Sequence, residues 1–379
     1  MKIRRGRATV IDTRVESQTL PWVHFACRTR NPGNTSMPLS PRSMIASSCF
    51  GLASLLALPA MAATQYPLQL QNCGHQLSFA AAPQRAVSIG QASTEILLSL
   101  GLGPRMVGTG VWFGPLPQAL QAANANIPRL ADNSPSFEAV AATRPDIAVA
   151  QYTFDIGPSG EVAKPEQLAS LGIASYVSPS DCEGKAVTAT SNADGSRSEM
   201  FSLALVDKEI TELATIFDVQ PAGAELITRL HQRVAHAVSE AAAKPDAPLS
   251  VVYWFSSTRL QGDPWVAGKN GAPGYISKVL GLRNVIDSEE EWPGVSWENI
   301  AARNPDVIVL ARMERRRYPA DDVDKKLEFL RTDPVTRELD AVRNNRIIVV
   351  DAKSLNPSMD VVDAIEGIAA GLKASRAAQ

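Results

Sequence analysis

The sequence predicts an α/β protein of two lobes, each built on a mostly parallel sheet, with a helical segment between them. Three observations carry this. Short β-branched runs alternate with amphipathic segments of helix length. The alternation breaks once, over about 198–248, where helical periodicity takes over. Finally, the stretch SFEAVAATRPDIAVA at 136–150 returns as SWENIAARNPDVIVL at 296–310. At roughly 150 residues per domain, a chain of 379 residues makes two domains of core-forming size.

Taken in order, RAVSIG is a β-run, and Ser93-Thr94 caps the apolar-periodic EILLSLG. MVGTGV is a strand and PLPQALQAA a Pro-punctuated helix. The helix FEAVAAT leads into the strand DIAVAQ, then the helix PEQLASLG into the strand ASYVSP. From 198 to 248 no strand-like run occurs. ELITRLHQRVAHAVSEAAAK has helical periodicity until Lys244-Pro245, so the segment reads as a long connecting helix. The alternation then restarts with SVVYWF, YISKVLG, NVI, WENIAAR, DVIVLA, DDVDKKLEFLR, RIIVVDA and VVDAIEGIAAGLKA. The lobes are thus 64–197 and 249–379. In each copy of the repeat Ser is the helix N-cap, and Glu138 or Glu298 sits in the first turn, where the helix dipole favours negative charge. Capping explains one glutamate, but not why both lobes keep it.

The front end, residues 1–62, reads as an extension plus a secretory signal. The apolar run MIASSCFGLASLLALPAMAA follows Arg42 and ends in the small-x-small triplet Ala60-Met61-Ala62. This predicts cleavage near Ala62 and a periplasmic product, and Met37 or Met44 makes a better start than Met1. Eight of the 37 basic and two of the 39 acidic residues lie in 1–62, which leaves the remainder at −8. That balance argues against nucleic acid as partner. Of four cysteines, Cys73 and Cys182 fall in the exported part, and an oxidising compartment makes a disulfide between them the default.

There is no HExxH, CxxC, P-loop or G-x-S-x-G, and His231 and His236 point to different faces of one helix, so no metal site, cofactor or catalytic group is expected. The strand-end loops, where α/β lobes meet ligands, are aromatic instead. Trp112, Phe113, Tyr152, Trp254, Trp265 and Trp292 either pack under those loops or grip a large, partly flat ligand in a cleft. The loop Ala311-Arg312-Met313-Glu314-Arg315-Arg316-Arg317 reads as solvated surface, or as a source of cleft arginines, Arg312 and Arg315 foremost, for an anionic group on the cargo.

RAVSIGQASTEILLSLGLGPRMVG, SFEAVAATRPDIAVA and WPGVSWENIAARNPDVIVL resemble the periplasmic substrate-binding proteins of ABC importers for ferric siderophores, haem and vitamin B12. The resemblance covers about Tyr66 to Leu372. It implies two Rossmann-like lobes with mostly parallel sheets, joined by a long rigid helix, with the ligand cleft between them. It also implies a monomer that binds a small-molecule chelate and docks on a permease dimer through one glutamate per lobe, Glu138 and Glu298. SPSDCEGKAV with QNCGHQL resembles a cysteine-containing branch proposed to carry corrinoids or a deazaflavin precursor. The function expected is delivery of a metal chelate or large cofactor. The alternatives are a periplasmic ligand sensor and a chelatase- or nitrogenase-related enzyme; the signal peptide and the lack of clustered His and Cys weigh against the enzyme.

Overall fold

The computed structural model describes residues 63–187, 194–241 and 248–377. The expected signal peptide and the extension before it lie outside them. The described chain opens with a hairpin, β1 (Leu68–Asn72) and β2 (His75–Phe79). The first lobe follows with β3 (Ala86–Ile89), α1 (Gln91–Ser99), β4 (Met106–Gly110), α2 (Gln118–Asn124), α3 (Phe137–Ala142), β5 (Ile147–Ala150), α4 (Pro165–Ser170), β6 (Ala174–Val177) and α5 (Pro179–Cys182). A two-residue pair, β7 (Lys185–Ala186) and β8 (Ser196–Arg197), ends it. After α6 (Leu203–Ile216) and α7 (Gln220–Ala241), the second lobe holds β9 (Ser250–Ser256), β10 (Trp265–Val266), α8 (Ala272–Leu280), β11 (Arg283–Asn284), α9 (Trp297–Arg303), β12 (Val307–Arg312), α10 (Val323–Thr332), α11 (Asp340–Arg343), β13 (Ile347–Asp351) and α12 (Val361–Ala377).

The first sheet runs β4-β3-β5-β6 and is wholly parallel. Its register aligns Gly110, Ile89, Ala150 and Val177 along one carboxyl edge. In the second sheet β9, β12 and β13 are parallel, while antiparallel β10 and parallel β11 share the free edge of β9. Strands β3 and β5 are buried at every position, as expected of sheets covered on both faces.

The repeated motif has a structural explanation, part of it absent from the sequence reading. Ser136 and Ser296 cap α3 and α9, accepting from the Ala139 and Asn299 amides at 3.2 and 3.3 Å. The aspartate of each Pro-Asp then holds the entry of the neighbouring strand. Asp146 accepts from the amides of Gln84 and Arg85 (2.7 and 2.9 Å), and Asp306 accepts from the amide and hydroxyl of Ser250 (2.8 and 2.6 Å). The first helix differs from expectation: it begins at Gln91, with Gly90 as N-cap, so Ser93 and Thr94 lie inside it.

The connecting segment is a helix pair rather than one helix. Pro221 cannot continue a helix from α6, because it lacks the amide and its ring clashes with the carbonyl four residues back. The chain turns at Asp218, whose φ is 57°. Each arm belongs to one lobe. Tyr176 and Ser178 at the end of β6 donate to Glu212 and Glu209 of α6. Arg233 of α7 donates to Glu366 (2.9 and 2.6 Å) and Asp363 (2.6 Å) of α12.

The hairpin was not anticipated, although LQLQ followed by HQLSF alternates with period two. Its turn, Cys73-Gly74, has positive φ at both positions (47° and 83°), the requirement of a two-residue type I′ connection. The adjacent Asn72 is buried, and its amide both donates to and accepts from the Val177 backbone at 2.8 Å, covering the open edge of β6. Cys73 forms the expected disulfide with Cys182, their Cα atoms 5.6 Å apart.

Two stability predictions follow from these contacts. The disulfide spans 109 positions, so Cys73→Ser with Cys182→Ser is expected to lose about 4–5 kcal/mol on the loop-entropy account. The measurement is the denaturant midpoint, and an unmoved midpoint would mean that Asn72 and the apolar contacts suffice. Burial raises the Glu209 carboxyl from 4.5 to about 7, against the opposing Ser178 hydrogen bond. Between those values the folded chain holds a proton that the unfolded chain releases, so stability falls as pH rises from about 4.5 to 7. The loss, on the order of 3 kcal/mol, is expected to be missing from the pH–stability curve of Glu209→Gln.

Candidate functional site

The two sheets bring their carboxyl ends toward a common interlobe face, and the loops there interlock. A side chain at Gly90 (φ 129°) would put its Cβ 2.3 Å from Gln151 Cβ, so only glycine lets these loops approach. The Gln151 amide oxygen consequently accepts from the Ala92 amide at 3.1 Å, and its nitrogen donates to the Tyr152 hydroxyl at 2.9 Å. Gln91 accepts from the amides of Phe113 and Gly114 at 2.9 and 3.1 Å. Three strand-end loops are thus fastened by two glutamines.

Buried charges tie the lobes together. Lys353, after β13, reaches Glu95 of α1 at 3.0 Å and Asp360 at 2.9 Å. Burial, and then Glu95, pushes the Asp360 carboxyl well above the usual range. For Lys353 burial works against the charge, but Asp360 and Glu95 outweigh it and raise the pKa. Arg197, fully buried, donates to Glu291 and to the Ser180 carbonyl, and Lys185 pairs with both Asp181 (2.5 Å) and Glu291 (3.4 Å). The two pairs that cross between the lobes, Arg197 with Glu291 and Lys353 with Glu95, have partners 94 and 258 positions apart and leave no local sequence pattern.

The aromatic residues separate into two sets. Trp254 is fully buried against Trp297 and Phe329, with its indole donating to the Ser256 carbonyl. Trp112 is also buried, beneath the Arg129 guanidinium at 4.2 Å, and Trp292 is buried against half-buried Phe255. These three indoles are packed in hydrophobic clusters. Phe113 and Tyr152, edge to face at 6.4 Å, and Trp265, edge to face with Tyr318 at 5.5 Å, are only half-buried. Phe154, in the same loop as Tyr152, is 59% exposed.

The arginine loop closes the rim. Arg315 donates across the lobes to the carbonyls of Trp112 and Asp132, both at 2.7 Å, and to the Asn133 side chain at 2.6 Å. Glu314 lies beside Gly114. Arg316 pairs with Asp322 at 2.7 Å, and exposed Arg312 stands 3.7 Å from Asp351. The loop is held by buried Asp321, which accepts from the amides of Arg317 and Tyr318 at 2.6 and 2.8 Å. Behind it, Lys326 is buried, its ammonium donating to the carbonyls of Phe255 and Ala311 that end β9 and β12. Burial lowers its pKa to about 7, against the pull of Asp321.

Glu138 and Glu298 are exposed in the first turns of α3 and α9. A groove of about 600 Å³ lies elsewhere, lined by Leu77, Phe79, Asp146, Pro165 and Ile173. It sits at the amino ends of β5 and β6, the wrong end of an open parallel sheet for ligand chemistry. The interlobe face is therefore the candidate site.

Arg315→Ala is expected to free the rim. Amide exchange should rise several-fold over 112–133 and 312–318, while stability changes by less than about 1 kcal/mol, since the bonds are at the surface. Exchange mass spectrometry checks this, and unchanged protection would mean the rim is held without Arg315.

The sequence profile of a family described as periplasmic binding protein matches residues 87–354. Among solved structures, the chain is similar to a periplasmic binding protein from Veillonella parvula, at 25% identity and TM-score 0.67 over 81% of this chain and 97% of that one. It is similar to an ABC-type Fe3+-hydroxamate transport system protein from Saccharomonospora viridis, at 25% identity and TM-score 0.63 over 81% and 99% of the two chains. A periplasmic heme binding protein from Pseudomonas aeruginosa shares the fold, at 22% identity and TM-score 0.58 over 77% and 93%. No curated protein matches the chain. A profile spanning well over half of its length, on a fold of two α/β lobes meeting at their strand ends, places this chain in the periplasmic binding protein family.

Proposed function

We propose that the chain is the periplasmic substrate-binding component of an ABC importer, carrying a metal chelate (a ferric siderophore, a corrinoid or a related cofactor) to its permease as a monomer. The observation that carries the reading is the interlobe face itself. Two lobes of one family fold close over partly exposed rings, and one of the similar solved structures at 25% identity belongs to an Fe3+-hydroxamate system. The matching family is one of binding proteins, and this supports binding rather than catalysis as the reading. Phe113, Tyr152 and Trp265 are assigned the first contacts with ligand, since Trp112, Trp254 and Trp292 are packed inside. Native mass spectrometry of protein taken from its own periplasm tests the ligand class. A co-purifying mass with a metal isotope pattern is expected, and a metal-free sugar or amino acid would overturn the assignment.

The paired glutamates supply the docking half of the proposal. Each helix start is capped by its serine, so the exposed carboxylates of Glu138 and Glu298 are left to meet cationic groups of a two-fold permease. Glu138→Ala and Glu298→Ala are each expected to reduce uptake about tenfold or more, with ligand affinity unchanged and stability altered by only about 0.3–1 kcal/mol. Uptake assays beside ligand titration check this. A variant that loses ligand binding but still supports docking would show that the roles are misassigned.

A further inference from the structure

The interlobe face is acidic at its centre. Asp155 and Asp181 of the first lobe and Glu291 and Asp360 of the second are each more than nine-tenths buried. Asp155 and Asp181 flank the Tyr152 loop: the Asp155 amide donates to the Tyr152 carbonyl at 3.1 Å, Asp181 accepts from the amide and hydroxyl of Thr153 at 2.7 Å, and Lys185 links Asp181 to Glu291 of the other lobe. Three have cationic partners: Asp181 has Lys185, Glu291 has Arg197 and Lys185, and Asp360 has Lys353, which it shares with Glu95. Asp155 is the exception. Its Oδ1 accepts from the Ser134 hydroxyl at 2.6 Å, but Oδ2, though buried, has no hydrogen-bond partner among the described residues. Two fully buried hydroxyls at strand ends, Ser180 beside Asp181 and Ser257 beside Ser256, also lack partners there. Burial, then Asp181 and Glu161, raises the Asp155 carboxyl to about 6, which leaves it largely ionised at neutral pH. At the rim, Arg315 is engaged by the opposite lobe and Arg316 by Asp322, and Arg312 stands exposed 3.7 Å from Asp351.

We propose that the interlobe site selects cargo presenting a positively charged group, with the Asp155 carboxylate as its partner beside Tyr152. This rests on the reading of the chain as an importer's binding protein and names the charge class of its cargo. An anionic face would enter the field of uncompensated carboxylate in a medium that screens it poorly, whereas an ammonium or a cationic complex supplies the missing donor.

The test is titration of the purified chain, followed by tryptophan quenching, with two ferric trihydroxamates of identical coordination. The ferric complex of desferrioxamine B carries a free ammonium, and its N-acetylated form is neutral. The charged form is expected to bind about tenfold more tightly, and Asp155→Asn is expected to abolish that preference while leaving the neutral form unaffected. The substitution keeps an acceptor for Ser134 and removes a buried charge, so folding is not at risk, and thermal unfolding verifies it. Equal affinities, or a preference that survives Asp155→Asn, overturn the charge inference and leave the importer reading intact. If neither chelate binds, the comparison is repeated with hexaamminecobalt(III) and hexacyanoferrate(III). Preference for the anion then overturns the inference, and preference for the cation that Asp155→Asn removes supports it. Only a metal-free natural ligand in native mass spectrometry would overturn the reading beneath it.

Discussion

The buried bridge from Lys353 to Glu95 and Asp360 is the interaction on which the interlobe geometry depends. It joins the strand-end turn of one lobe to the first helix of the other, and all three side chains are largely withdrawn from water. A pair of this kind does little for net stability, because removing the charges from water costs about as much as their attraction returns. Its effect is on position. Any displacement of one lobe would strand an uncompensated charge, so the relative placement of the lobes has a narrow minimum. Arg197 acts in the same way, held by Ser180 of the first lobe and Glu291 of the second.

This positioning gives the internal repeat two different meanings. The serine and the aspartate of the motif are occupied inside each lobe, one capping a helix and the other fixing a strand entry. They recur because each lobe must solve the same folding problem. The glutamate does not share that burden, since the serine already satisfies the amide three residues on. A doubled, exposed and structurally dispensable carboxylate is the feature to expect when two lobes held in fixed relation meet a two-fold partner.

Most of the fold was legible because parallel strands covered on both faces read as unbroken apolar runs, such as VIVL in β12 or IAVA in β5. Helices between them declared themselves through period and caps. The errors have local causes. Pro221 breaks the connecting segment into two helices, and the start of α1 carries no local cap signal because its Ala92 amide is served by Gln151, 59 positions away. The site was less legible than the fold. Position after a strand predicted that Trp112 and Trp254 belong to the carboxyl ends, but not which way they turn. Trp254 lies within β9 and faces Trp297, so alternation sends it inward. Interlobe charge pairs leave no local pattern at all, since neither partner's neighbours in sequence foretell the other.

Rim and interior therefore follow opposite electrostatic rules. At the rim, Arg315 finds neutral carbonyl acceptors on the other lobe and can release them at little cost, because water replaces each bond. Inside the interlobe face, Lys185, Arg197 and Lys353 meet the carboxylates of Asp181, Glu291, Glu95 and Asp360, while Asp155 Oδ2 has no hydrogen-bond partner among the described residues. The helix pair limits how cargo can reach it, for α6 is fixed to the first lobe by Glu209 and Glu212, and α7 to the second by Arg233. With both arms anchored and Lys353 spanning the interior, wide hinge opening would break buried charge pairs, whereas parting the rim breaks only surface hydrogen bonds. Exchange through the rim loops is the less costly route, and it leaves the exposed carboxylates of α3 and α9 at constant spacing whether or not ligand is aboard.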